Sequence, residues 1–272
     1  MYQLARRSLF ALAGLLLAAS PAAATPFGSV ELSLAAVNGS WTYWGGSVAG
    51  TESSPNQYAV ADGSHAEGSY LVEWQGVSID LDPGVSGNWS VTNTSATTQI
   101  MILSVIVPVL PVGPSSLMFG STSVTVSDAN FDGVGVLTNL TPSPAYTGLI
   151  DLGPVPASAL LVNPYVLTAP PGGTASATQS FGVFPGSVPG PAVTSSIGIQ
   201  HVFTLTAGDR ATFNSTFFLV AVPEPGTASG FQPFGMPPTT RMLESDEAPM
   251  HQRWLLAGRL LHEALAPASK PK

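Results

Sequence analysis

The chain has no cysteine among its 272 residues, so neither disulfides nor thiolate metal sites are open to it. Basic side chains are almost as scarce. Between Thr25 and Val222 only Arg210 is cationic, against eleven Asp and Glu. Nothing there can replace phosphate counterions, which excludes nucleic-acid binding and disfavours an anionic membrane surface. An acidic surface rich in Ser, Thr and Gly stays soluble outside a cell and draws divalent cations. Helical periodicity is nearly absent before residue 250. G-x-S-x-G, H-E-x-x-H and phosphate-cradling loops are also missing, which removes the local signatures of many hydrolases, zinc peptidases and nucleotide enzymes.

What is present starts with an export signal. Arg6-Arg7 precede the apolar run Leu9 to Ala19, then Pro21 and Ala22-Ala23-Ala24. Basic, apolar and small-residue regions in that order make a secretory signal peptide over residues 1–24, cleaved after Ala24. The run is shorter than the roughly 20 residues of a spanning helix. The arginine pair also fits twin-arginine export, whereas the Leu-rich run favours the general pathway.

From Thr25 to Val222 the pattern is short alternating segments broken by Gly, Pro, Asn and Asp. Strands are expected over 30–34, 70–74, 77–81, 89–93, 121–127, 134–137, 146–152, 160–167, 175–183, 197–205 and 211–222. Ile100 to Val107 is a continuous apolar run whose β-branched content predicts a strand buried on both faces. The Pro/Gly-rich stretch Phe184 to Pro191 reads as a long loop. About a dozen strands at this spacing predict a single all-β body over residues 25–222, an antiparallel sandwich of jelly-roll type.

Several stretches carry residues of chemical interest. Asp128-Ala129-Asn130-Phe131-Asp132-Gly133 fits the start of a calcium loop, with oxygen ligands at Asp128, Asn130 and Asp132. The twelfth position, where such a loop needs a bidentate Glu, is Asn139; the other reading is a tight turn held by Asx side chains. Trp41, Tyr43 and Trp44 form an aromatic group that either stacks on sugar rings or fills the core. Alternation puts Trp41 and Tyr43 on one face and Trp44 on the other. Asp62, Ser64, His65 and Glu67 have the residue types of a hydrolytic triad, but triads are rarely assembled within one turn. His65 and His201 are lone histidines. Asn-x-Ser/Thr sequons stand at Asn38, Asn88, Asn93, Asn139 and Asn214. No catalytic residue and no obligatory cofactor follow from these motifs, with calcium the sole candidate.

After the last expected strand comes Val222-Pro223-Glu224-Pro225-Gly226. This box, together with the signal and the style of the body, resembles the bacterial PEP-CTERM family of exported proteins. The resemblance implies a sorting motif at Val222, Pro223, Glu224 and Pro225, and processing by the membrane protease exosortase. Its setting would be a Gram-negative surface or an exopolysaccharide-rich matrix, such as a biofilm. The likeness stops at Gly226. The family continues with an apolar helix and arginines, whereas residues 227–272 hold Pro233, Pro237, Pro238, then Arg241 to Glu247. A mostly disordered tail is expected there, with a short amphipathic helix between His251 and Ala266. Such a chain would be released rather than anchored. The rival readings are a carbohydrate-binding module using Trp41 and Trp44, and a secreted hydrolase.

Overall fold

A computed structural model describes residues 27–38, 40–162, 164–182 and 187–222, without the side chains of Asn38 and Ser40. The signal peptide with Ala24, the box residues Pro223 to Gly226 and the tail lie outside the described residues, as does the side chain of the Asn38 sequon. All described residues belong to one compact unit.

That unit is all-β and antiparallel, as expected. The strands are β1 (Ser29–Asn38), β2 (Ser40–Ser54), β3 (Gln57–Val60), β4 (Gly63–Glu67), β5 (Tyr70–Asp80), β6 (Gly84–Asn93), β7 (Gln99–Pro108) and β8 (Ser116–Ser127). There follow β9 (Gly135–Asn139), β10 (Tyr146–Ile150), β11 (Gly153–Pro154), β12 (Val166–Ala169), β13 (Thr174–Phe181), β14 (Val188–Gly190), β15 (Ser196–Leu205) and β16 (Arg210–Ala221). Among the described residues a single 3₁₀ turn spans Pro156–Ser158.

Eight strands form a jelly roll. One sheet runs β7-β15-β9-β12 and the other β6-β16-β8-β13, so the chain changes sheet at nearly every step from β6 to β16. The N-terminal strands widen both layers. β1 adds to β7, and β5 adds to β6. β2 belongs to both layers: Ser40–Ala49 pairs with β1, then Gly50, Thr51, Glu52 and Ser54 pair with β3. At the crossing, a Cβ on Gly50 would sit 2.5 Å from the Gly28 carbonyl oxygen, so only glycine lets the two backbones pass.

The inner faces meet in one core. Val30, Leu32 and Leu34 of β1, Met101, Leu103 and Val105 of β7, and Phe213 and Phe217 of β16 are all essentially inaccessible. β7 is buried on both faces, as its unbroken apolar run predicts. On its outer side Ile102 packs between Ala35 and Val202, with Leu140 against them.

Two expectations are corrected. Residues 160–167 are not one continuous strand: Leu160 makes only an isolated bridge to Tyr146, Leu161 has φ 55°, and a strand begins at Val166. Pro164 lies inside this piece, and a proline cannot donate to a ladder. The expected loop Phe184 to Pro191 contains a strand: β14 pairs Val188 with Met118 and Gly190 with Ser116 along the edge of β8. It tolerates Pro189 because only one side of it is paired. Finally, 70–74 and 77–81 merge into β5, with the irregularity between Gln75 and Ser78 absorbed at Gly76, whose φ is 57°.

Candidate functional site

Two exposed aromatics share one strand, β2. Its residues from Trp41 onward alternate between open and half-covered, so Trp41 (42 % exposed) and Tyr43 (36 %) share the outer face. Trp44 points inward, as alternation requires, and is not part of an outer row with them. It stacks on His65 of β4, with centroids 4.5 Å apart and planes 13° apart, and on Trp74 of β5 at 6.0 Å. Trp74 is buried and donates its Nε1–H to the Ala61 carbonyl at 3.0 Å. The three-ring stack closes the side of the sandwich between the two layers, with Trp44 packed against the main core.

The Asp62–Glu67 group does not assemble a triad. β4 turns Ser64 to the exposed face and His65 the other way. His65 Nε2 lies 3.3 Å from Glu67 Oε2. Asp62 Oδ1 accepts the N–H of Gly76 at 2.8 Å, which holds the irregular part of β5. Asp62 is spent on the backbone of β5 and His65 on Glu67.

The corner after β8 gathers acids from distant parts of the chain. Asp128 is buried, and its Oδ2 accepts the Gly172 N–H at 2.8 Å, while its own N–H donates to the Gly173 carbonyl at 3.1 Å. Its Oδ1 is buried with no hydrogen-bond partner. Asn130 Nδ2 donates to Asp132 Oδ2 at 2.8 Å and to the Ala207 carbonyl at 2.9 Å. Phe131 takes φ 62° at the exposed tip. Asn139, the twelfth position of the expected calcium loop, is spent elsewhere: it accepts from the Tyr165 N–H and donates to the Ser143 carbonyl. Among the described residues no three His, Asp or Glu side chains converge as a metal-holding group. The loop is a turn tied down by Asx side chains.

Sequence reasoning missed Asp209 in this corner. It bonds Thr206 Oγ1 and accepts the Ala129 N–H, so it ties the β15–β16 turn to the end of β8. Burial pushes its carboxyl up; those hydrogen bonds oppose the rise, and Asp128 and Asp132 nearby add to it. Asp151 was missed too. Burial alone would raise it, but the Thr194 side chain and the N–H groups of Ser195, Ser196 and Thr194 hold it below the usual carboxylate range. Lone acids beside turns carry no spacing signal, because the N–H groups they accept lie 43 residues or more away along the chain.

The second lone histidine is in the core. His201 is inaccessible, stacked on Phe213 at 4.1 Å and edge-on to Tyr146 at 5.6 Å. Its Nδ1 lies 3.2 Å from the Ala145 carbonyl and its Nε2 3.2 Å from Ser215 Oγ, which in turn meets Thr122 Oγ1 at 2.8 Å. Burial drives its pKa down to about 3. A histidine–serine pair is therefore present, but sealed from solvent. Of the sequons, Asn88 and Asn214 are exposed and directly opposite each other on β6 and β16, whereas Asn93 and Asn139 are buried. No family model matches this chain, and no curated protein matches it either.

Proposed function

We propose that this chain is an exported, non-catalytic β-sandwich protein of a bacterial surface or extracellular matrix, sorted in the PEP-CTERM manner. One observation carries the reading: β16 ends at Ala221 and Val222-Pro223-Glu224-Pro225-Gly226 follows at once in sequence, so the sorting box begins where the last strand ends. A protease reading an extended peptide needs its recognition segment outside the ladder of the last strand. The signal over residues 1–24 supports export, and exosortase is the partner the box implies. Downstream, prolines and the charged Arg241 to Glu247 stand where an apolar span belongs, which supports release over anchoring. The non-catalytic part of the reading rests on His201 and Ser215 being inaccessible and on His65 being spent on Glu67 and Trp44.

The test is expression of the full chain in a Gram-negative host with and without an exosortase. Material starting at Thr25 is expected in the medium, shortened near Pro223 only when the protease is present. A chain that keeps Met1 and stays in the cytoplasm overturns the reading. A second reading is favoured by Trp41 and Tyr43 sharing one open face: neutral polysaccharide binding through ring stacking. Co-sedimentation with insoluble polysaccharide that is lost in Trp41→Ala/Tyr43→Ala supports it, and retention in that variant removes it.

A further inference from the structure

The margin of the sheet at β2 has a combination of properties no other edge shares among the described residues. Over Ser40–Ala49, β2 pairs with β1 alone. Gly50 donates its N–H to the Gly28 carbonyl at 2.8 Å, so even-numbered residues turn their backbone groups toward β1. Antiparallel strands alternate sides, which leaves the N–H and C=O of Trp41, Tyr43, Gly45, Ser47 and Ala49 aimed at the open side. From Ser40 to Thr51 there is neither a charge nor a proline. Edges are ordinarily blunted by one of these or by shortness. Four other edges here obey that rule: β4 carries His65 and Glu67, β11 has two residues and Pro154, β12 has four, and β14 holds Pro189. β13 is uncharged over eight residues, but it presents hydroxyls instead of exposed rings.

We infer that this edge is a self-association surface, on which β2 of a second copy pairs antiparallel about a two-fold axis at Gly45. Charge selects the occupant. With eleven acids and one arginine between Thr25 and Val222, two copies repel over most of their surface, and this long edge is free of charge. The sequence is also complementary to itself. A two-fold axis normal to the sheet keeps outer face with outer face, so paired residues share parity. Centring on Gly45 sets Trp41 opposite Ala49, Tyr43 opposite Ser47 and Trp44 opposite Gly46, each ring against a small residue. The outward groups then form about ten main-chain hydrogen bonds, and the sheet continues through both copies. Trp41 and Tyr43 keep their outer face, so pairing doubles the row of exposed rings.

Sedimentation velocity of the full chain across micromolar concentrations tests this. A dimer is expected. Gly45→Pro removes an outward N–H, which an edge strand tolerates, and its Cβ displaces the far end of the Tyr43 side chain, whose hydroxyl would lie 2.5 Å away. Tyr43→Lys places like charges near the axis. Each should weaken the dimer about a hundredfold or more while keeping a cooperative melt, whereas Ser180→Lys on β13 should not. Should Gly45→Pro fail to fold, Tyr43→Lys decides alone. A monomeric wild type, a dimer that survives Tyr43→Lys, or one broken by Ser180→Lys overturns the assignment.

Discussion

His201 and His65 sit in two assemblies of the same chemistry under opposite conditions. Each stacks on an aromatic ring within about a closest-packing distance, His201 on Phe213 at 4.1 Å and His65 on Trp44 at 4.5 Å. His201 lies where both layers cover it and both its nitrogens have protein partners. His65 lies at the margin, where its side chain is 30 % exposed and meets Glu67. The contrast teaches that ring contact alone does not set the worth of such a group. Coverage by the second sheet does, because it decides whether water can replace what a mutation removes.

The largest effect should separate the two assemblies outright. Phe213→Ala empties a fully buried site and should cost about 3–5 kcal/mol, whereas Trp44→Ala at the half-covered margin should cost about 1–2 kcal/mol. Equal losses in chemical denaturation would break the comparison. The next effect is pH dependence. His201 has a folded pKa of about 3 against 6.5 for the free side chain, so the unfolded chain takes up its proton first. Its neutral burial costs nothing above about pH 6.5, and stability falls as pH drops from there toward 3, by at most about 1.4 kcal/mol per pH unit. His201→Gln should flatten that slope in a urea-melt series; an unchanged slope would place the acid sensitivity elsewhere.

A smaller effect concerns Asp151, whose folded carboxyl is held low. Its contribution is present above about pH 3.8 and lost as pH falls through the lower folded value. Asp151→Asn should therefore lower the melting temperature at pH 7 and make progressively less difference in acid. A constant difference at all pH values would mean that the side chain acts by shape alone. The smallest expected change is Glu67→Gln at the margin. It removes a solvent-exposed contact to His65 and should shift stability by less than about 0.5 kcal/mol. A loss above 1 kcal/mol would show that the margin depends on that pair as the core depends on its own contacts.

How much of this was legible beforehand varies with the range of the interaction involved. The strand content, β7 buried on both faces and the opposite facing of Trp41 and Trp44 followed from period-2 alternation and apolar runs, which are local. β3 and β4 were not recognised as strands, because Gln57–Val60 and Gly63–Glu67 are short and lack a β-branched run. Their ladders are supplied by β5, which offers its edge to both in succession. Residues 160–167 failed in the opposite direction: apolar content suggested one continuous strand, and Pro164 with Leu161 at positive φ confined pairing to Val166 onward.

By itself the sequence determined the all-β class, the absence of disulfides, the acidic surface and the position of the Pro-Glu-Pro box just past the last strand. These depend on composition and on residues next to one another. Tertiary structure decided that His201 and Ser215 are sealed in the core, that Asp128 and Asp209 serve distant turns, and that β2 crosses between the layers with one long edge unpaired. Each of these is set by which strands become neighbours across tens of residues, and burial and pairing follow from that neighbourhood, which no local pattern encodes.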